Sequence, residues 1–208
     1  MDWVQWHASY EDPDSPLVQR LDVVRKRIAQ ALDQSPAGPI RVTSMCAGDG
    51  RDLLGVLQNH PRAEDVSGRL VELNPLLVEK ARISAPPAIE VLCSDAGNSD
   101  AYDGVAPVNI LLCCGVFGNI TEEDIQNTIE YWSMLCAPEA TIIWTRGSFE
   151  PDIRNEIRGW VKLAGFEELS FDGAEERYSI GVAKMVRSGK SYQKGVHFFS
   201  FIPERQNR

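Results

Sequence analysis

The stretch that most constrains the fold is residues 40–57, IRVTSMCAGDGRDLLGVL. It begins as an apolar strand pattern, passes through a turn of small residues, and opens directly into a helical pattern over residues 51–58. Gly48 and Gly50 let the backbone approach a ligand where a Cβ atom would collide. A second apolar strand pattern ends at Glu72, close to the offset of about 20 residues at which an acid meets a ribose hydroxyl in nucleotide-binding βαβ units.

Strand and helix patterns alternate five times along the chain and are followed mainly by strands. Such βα units predict a parallel sheet with helices on both faces. We therefore expect an α/β, Rossmann-like three-layer sandwich: a mostly parallel seven-stranded sheet with an antiparallel C-terminal hairpin and an N-terminal helical lid. The strand patterns lie at residues 40–45, 67–73, 89–93, 108–114, 140–145, 166–171, 178–185 and 196–202.

The length of 208 residues predicts a single domain. Within it we expect an N-terminal lid and helix over residues 1–39, a cofactor-binding core over residues 40–165, and C-terminal strands over residues 166–208. The strand pattern at residues 196–202 also suggests an exposed sheet edge, through which a homodimer is possible.

The N-terminal helix is predicted over residues 16–33, because Ser15 is a good N-cap and proline is favoured in the first turn. Its basic residues are expected on a solvated face; they are Arg20, Arg25, Lys26 and Arg27. The aromatic leader before the helix is interpreted either as a lid over the site or as a packed or frayed terminus; it contains Trp3, Trp6, His7 and Tyr10.

The formal net charge of -9, with no dense run of lysine and arginine, argues against nucleic acid and against an anionic membrane surface. A small molecule is the expected partner class. No apolar run reaches the roughly 18 residues of a membrane span. The first residues lack the basic and apolar segments of a signal peptide, so we expect a cytoplasmic protein.

The cysteines and histidines give no metal-binding pattern. None of the five cysteines forms a CxxC pair, and most lie in apolar strand patterns, which indicates reduced, buried thiols. The three histidines are far apart in the sequence, so no metal site is predicted.

Five motifs resemble those of class I S-adenosylmethionine-dependent methyltransferases, and the resemblance covers residues 40–180. The motifs are SMCAGDG (44–50), VELN (71–74), CSDA (93–96), ILLCCGVFGNI (110–120) and ATIIWT (140–145). In that family the glycine turn lies against the methionine part of the cofactor, the acid after strand two binds the ribose, and the Asp-Ala pair contacts the adenine. The fourth strand ends facing both cofactor and substrate. The resemblance therefore implies S-adenosylmethionine as cofactor, bound by Cys46, Ala47, Gly48, Asp49, Gly50, Glu72, Leu73, Asp95, Ala96, Cys114, Gly115 and Val116.

The turn departs from the family pattern, because Ser44 replaces the usual acid and Cys46 the usual first glycine. It also departs from a dinucleotide site, which uses three glycines to approach a pyrophosphate. Asp49 and Asp52 would repel a pyrophosphate but suit a cofactor with ammonium and sulfonium charges. Asp49 is also a candidate cap of the following helix.

Substrate and catalytic residues have weaker signals. Phe117 is as well explained by packing in the core as by a place in the wall of a ligand site. Asn119 is also explained as the cap of the next helix, and Arg146 as a member of a structural ion pair. All three are also candidates for substrate binding: Phe117 and Asn119 follow the end of the fourth strand, and Arg146, at the tip of the fifth, could pair with a substrate carboxylate. If the acceptor atom is an oxygen that needs a base, His7 and Tyr10 are the candidates by residue type.

The predicted function is methyl transfer from S-adenosylmethionine to a small molecule. Two alternatives stay open: an NAD-linked Rossmann oxidoreductase, and a non-catalytic domain that binds S-adenosylmethionine.

Overall fold

The protein is described from a computed structural model that covers Tyr10, Asp12 and residues 15–202. The strands within these residues are β1 Ile40–Met45, β2 Val66–Glu72, β3 Ile89–Cys93, β4 Val108–Cys113, β5 Cys136–Gly147, β6 Phe166–Asp172 and β7 Tyr178–Met185. They form one seven-stranded sheet in the order β3-β2-β1-β4-β5-β7-β6. The first five strands are parallel, and β7 runs antiparallel between β5 and β6. This confirms the predicted sheet and its C-terminal hairpin.

Helices cover both faces of the sheet and complete the three layers. Their bounds are α1 Pro16–Gln34, α2 Leu53–Leu57, α3 Pro75–Ser84, α4 Glu122–Leu135 and α5 Arg154–Leu163. One hydrophobic cluster joins the sheet to α1, α2 and α3, and the other joins it to α4 and α5. The layers follow from alternating βα units, whose crossovers place helices on both faces.

The N-terminal helix begins where the sequence predicts. The Ser15 hydroxyl accepts a hydrogen bond from the Leu17 amide at 3.3 Å, and Pro16 occupies the first helical position. A stripe of apolar residues at helical spacing faces the sheet, and Val24 and Ile28 are almost fully buried on it.

The expectation of a solvated basic face on α1 is wrong for its arginines. Arg20 lies one turn before Val24 on the buried stripe and is only 9% exposed. Arg25 donates from Nε and Nη2 to the Arg51 carbonyl at 3.0 and 2.7 Å. Arg27 forms an ion pair with Asp172 at the end of β6. These contacts bind α1 to the glycine turn and to the C-terminal hairpin, whereas Lys26 is exposed as expected.

The strand predicted at residues 196–202 is also wrong. His197 forms only an isolated bridge with Asn98, and the segment lies across the loop after β3, where the Phe198 amide donates to the Gly97 carbonyl at 2.7 Å. Phe198 and Phe199 fill the core instead of extending the sheet. The two edges of the sheet are therefore β3 and β6, so the edge strand on which we based a possible homodimer does not exist.

No helix among the described residues is long and apolar enough to span a lipid bilayer.

Two glycines with opposite surroundings give a stability prediction. A Cβ atom at Gly68 in β2 would overlap the carbonyl oxygen of Val42 on β1, whereas a Cβ at Gly159 on α5 meets nothing within 4 Å. We expect Gly68→Ala to destabilise the protein by about 3 kcal/mol or more, because backbone must move. The control Gly159→Ala should stabilise it by about 0.5–1 kcal/mol, since alanine loses less backbone freedom in a helix. Urea unfolding measures both, and a Gly68→Ala protein as stable as wild type would contradict the packing of β1 on β2.

Candidate functional site

A cavity of about 340 Å³ opens at the carboxyl ends of the parallel strands. Its floor is built by the ends of β1, β2, β3 and β4, and residues of α1, Tyr10 and Phe201 also line it. The strand order reverses between β1 and β4, which is the topological switch point where open α/β sheets bind ligands. The volume lies at the lower end of the range of roughly 300–1,000 Å³ for small-molecule sites.

The turn after β1 contributes Cys46, Ala47 and Gly48 to the wall. Cys46 has φ 52° and Gly48 has φ 60°, both in the left-handed region. A residue with a Cβ atom is less stable in that region by about 1–2 kcal/mol. Cys46 therefore adopts a strained conformation that a glycine at this position would avoid. Gly50 lies behind the wall, because a Cβ there would come within 2.7 Å of Leu54 and Leu70 in the core.

The Glu72 side chain joins this turn to the end of β2. Its Oε2 accepts a hydrogen bond from the Gly48 amide and its Oε1 one from the Asn74 amide, both at 2.8 Å. The residue is 9% exposed and lies on the cavity wall. Because each carboxylate oxygen accepts two hydrogen bonds, Glu72 retains acceptor capacity for a ligand hydroxyl. The two motifs that were expected to hold opposite ends of one ligand are thus in direct contact.

Of the two carboxylates near the start of α2, Asp52 lies on the cavity wall and Asp49 does not. Asp52 caps the helix by accepting from the Leu53 amide at 2.7 Å, so the cap expected at Asp49 is formed three residues later. Asp49 instead forms an ion pair with Arg51. Burial raises the pKa of the Asp52 carboxyl above its ordinary value of 3.8, and the charge of Asp49 raises it further.

The ends of β2 and β3 supply the next part of the wall. Leu73 presents an apolar side chain that is 64% exposed, and Ala96 is buried beside Asp95. The Asp95 carboxylate accepts from the Gly97 amide at 2.8 Å, and the Ala96 carbonyl accepts from the Tyr102 hydroxyl at 2.7 Å. These bonds fix the loop that carries Ala96 on the cavity wall.

The end of β4 contributes Cys114 and Gly115 to the wall, but the residues after them turn into the core. Val116 and Phe117 are fully buried, and Phe117 stacks on Trp132 at 5.5 Å between ring centroids. The core interpretation of Phe117 therefore holds, and Val116 is off the cavity for the same reason. Asn119 also lies off the wall, where its amide donates to the Gly115 carbonyl at 2.8 Å and shapes the loop.

Arg146 lies off the cavity wall at the end of β5, buried to 4% exposure beneath the ring of Phe149. His7, Trp3 and Trp6 lie outside the described residues.

Several wall residues had no assigned site role in the sequence, among them Arg20, Arg51 and Phe201. Arg20 donates to the hydroxyl of Tyr10, whose ring lies 4.3 Å beneath the guanidinium carbon of Arg51. The sequence did contain a signal for the burial of Arg20: at helical spacing it lies on the same apolar stripe as Val24. Burial raises the pKa of Tyr10, so at neutral pH this residue is a protonated phenol and a poor general base.

Within the part of the chain that the structure describes, no group of three or more His, Cys, Asp and Glu side chains is placed to hold a metal ion. Burial raises the pKa of the Cys46 and Cys114 thiols, which keeps both neutral at neutral pH.

Comparison with known proteins identifies the architecture. No family model matches the sequence, and no curated protein matches it. Among solved structures, an O-methyltransferase family protein from Burkholderia thailandensis matches with a TM-score of 0.66 and 15% identity, over 83% of this chain and 56% of that one. The magnesium protoporphyrin IX methyltransferase from Synechocystis PCC 6803, solved with bound S-adenosylmethionine, matches with a TM-score of 0.65 and 14% identity, over 88% and 90%.

This chain has the class I methyltransferase fold. A third structure with this fold is the 1,6-didemethyltoxoflavin-N1-methyltransferase of Burkholderia thailandensis, solved with S-adenosylhomocysteine; its TM-score is 0.60 at 14% identity, over 88% of this chain and 87% of that one. The present chain spans just over half the length of the first of these structures.

The topology does not favour the NAD alternative. Dinucleotide-binding domains have the strand order 3-2-1-4-5-6, whereas here the antiparallel β7 lies between β5 and β6. The turn after β1 also lacks the three-glycine pattern that admits a pyrophosphate.

The buried carboxyl of Asp52 gives a pH-dependent prediction. A carboxyl whose pKa is raised by folding binds its proton more tightly in the folded state, so ionised Asp52 destabilises the fold above that pKa. The cost disappears below 3.8, where Asp52 is protonated in both states. Asp52→Asn keeps an acceptor for the Leu53 amide and should therefore melt at a higher temperature than wild type at neutral pH, with the difference shrinking on acidification.

Thermal unfolding followed by circular dichroism over a pH series measures this difference. Asp22→Asn, at an exposed position on α1, is the matched control for the charge change. A stability difference between Asp52→Asn and wild type that stays constant with pH would show that the carboxylate is not the destabilising group.

Proposed function

We propose that this protein transfers a methyl group from S-adenosylmethionine to a small molecule. The observation that carries the proposal is the pair of 2.8 Å bonds from the Gly48 and Asn74 amides to Glu72, which hold an acid and a glycine turn side by side on one cavity wall. S-adenosylmethionine supplies a methyl group already activated on a sulfonium sulfur.

The wall residues fit the parts of this cofactor. Glu72 has acceptor capacity for the ribose hydroxyls, and the apolar wall residues Leu73 and Ala96 suit the flat adenine. Arg20 and Asp52, which both line the cavity and carry opposite charges, suit the carboxylate and ammonium groups of the methionine end. The carboxylates of the floor also favour the positive sulfonium over a phosphate.

The chain's contribution to the reaction is alignment and the exclusion of water. Holding an acceptor atom in line with the methyl group can supply roughly 7–11 kcal/mol of the barrier. Since the raised pKa of Tyr10 disfavours it as a base, we assign Tyr10 a positioning role through its bond to Arg20. An acceptor that is already ionised needs no base, and His7 stays the candidate base for any other.

We further propose that residues 1–208 act as one unit in the cytoplasm, with the N-terminal segment closing over the cavity. Tyr10 supports the lid, because it lies on the cavity wall and packs on Arg51 from the glycine turn.

Replacing Glu72 tests the cofactor assignment. We expect Glu72→Ala to weaken binding of S-adenosylhomocysteine at least about tenfold, or about 1.4 kcal/mol, because the ribose contact and the orientation of the turn are lost. Isothermal titration calorimetry measures the affinity. Glu90→Ala is the matched control, since Glu90 is an acid on the neighbouring β3 that is exposed and pairs with Arg69.

An unchanged affinity in Glu72→Ala, with the fold intact by circular dichroism, would remove Glu72 from the site and with it the basis of the assignment. Tight binding of S-adenosylmethionine without turnover on a broad panel of metabolites would instead support the non-catalytic alternative, for which the substituted residue Cys46 is the motivating observation.

A further inference from the structure

The ring of Phe149 lies in a recess at the carboxyl ends of β4 and β5. We call this recess the Phe149 cradle; it is formed by Gly118, Arg146 and Gly147. The guanidinium carbon of Arg146 lies 3.9 Å from the ring centroid. A Cβ atom at Gly118 would come within 2.9 Å of the ring, and one at Gly147 would overlap it.

The two glycines of the cradle are explained by the ring and not by backbone conformation. Neither Gly118 nor Gly147 has a φ in the left-handed region, where glycine is otherwise required. What they provide is a flat space beside a guanidinium, in which a six-membered ring fits. Arg146 itself is 4% exposed, so its charge lies in a poorly solvated place where cation–π attraction is strong.

The cradle adjoins the cavity through one short loop. Gly115 lies on the cavity wall and Gly118 lies three residues later in the cradle. The Gly115 amide donates at 2.9 Å to the hydroxyl of Thr145, the residue before Arg146. The cradle is therefore on the β4 and β5 side of the cavity, away from Glu72 and Asp95, which we assign to the adenosine end.

We propose that the Phe149 cradle is the binding site of the methyl acceptor, and that the acceptor is a planar aromatic acid whose ring Phe149 replaces in this conformation. This inference rests on the proposed function. The planar shape follows from the glycine-bounded space, and the acidic group from the guanidinium of Arg146. An ionised acid of this kind also agrees with a site in which Tyr10 is a poor base.

Phe149 is placed to leave the cradle. It is only half-buried and lies in the loop between β5 and α5, where the Ser148 amide donates to the Arg177 carbonyl at 2.9 Å. The Arg146 guanidinium donates to the Pro151 carbonyl of the same loop at 3.5 Å, so this loop contacts both the ring and the charge of the cradle. An acceptor must compete with the ring. Its apparent affinity is the intrinsic affinity multiplied by the fraction of molecules in which the cradle is open.

Benzoate, a minimal aromatic acid, is the probe. We expect Phe149→Ala to bind benzoate at least about tenfold more tightly than wild type, because no internal ring competes for the cradle. Cyclohexanecarboxylate has the same charge but no flat ring, and should gain less. Phe149→Val is a second opened variant, in case alanine disturbs the loop. Calorimetry in the presence of S-adenosylhomocysteine measures the affinities.

Two further variants locate the bound ring. In the Phe149→Ala background, Gly118→Ala places a methyl group where the ring lay. We expect it to weaken benzoate binding about tenfold or more, which corresponds to about 1.4 kcal/mol. The matched control is Phe171→Ala, which removes another half-buried ring, 4.6 Å beneath the guanidinium carbon of Arg158, that does not form part of the cradle. This control should bind benzoate as wild type does.

Equal benzoate affinity in wild type and in both opened variants would overturn the acceptor site, and so would unchanged binding after Gly118→Ala in the opened background. Affinity for S-adenosylhomocysteine, measured in the same proteins, separates this failure from that of the proposed function. If wild type binds S-adenosylhomocysteine and benzoate shows no effect of the variants, only the cradle assignment is wrong. If wild type does not bind S-adenosylhomocysteine, the proposed function itself fails.

Discussion

The carboxylate of Glu72 accepts backbone hydrogen bonds from the turns that follow β1 and β2, through Gly48 and Asn74, and the geometry of the cavity depends on these two bonds. A buried carboxylate is stable only when charged or dipolar partners compensate for its desolvation. Backbone amides provide that compensation without using up all of its acceptor capacity. The same group therefore orients the turn and remains able to bind a ligand hydroxyl.

The other features of the cavity follow from bringing the turn close to α1. Arg25 donates to the carbonyl of Arg51, which joins the helix to the turn, and Arg20 from the helix and Asp52 from the turn side both line the cavity. The cost is visible in two places: Cys46 adopts a left-handed conformation, and Asp52 is a buried carboxyl with a raised pKa. Strain and desolvation of this kind are typical of ligand sites, where binding offsets them.

The cavity and the Phe149 cradle divide the carboxyl edge of the sheet into two halves. The ends of β1, β2 and β3 present carboxylates and an exposed apolar residue, Leu73, whereas the end of β5 presents a guanidinium beneath an aromatic ring. The loop from Gly115 to Asn119 separates them and is held by the bond from the Asn119 amide. The proposed cofactor and acceptor sites therefore lie on either side of this loop.

The sequence by itself determined the sheet, the glycine turn and the floor of the site. Parallel βα units bring every strand's carboxyl end to one edge, so residues such as Glu72 and Asp95 could be placed together without coordinates. Only the tertiary structure decided what faces that edge. Helical periodicity put Arg20 on a stripe but could not say that the stripe borders a cavity. The apolar pattern at residues 196–202 is the same for a strand and for an extended segment that buries Phe199 but forms no hydrogen-bonded pairing with a neighbouring strand. The contact of Phe149 with Arg146 depends on how a loop folds back, which no local pattern encodes.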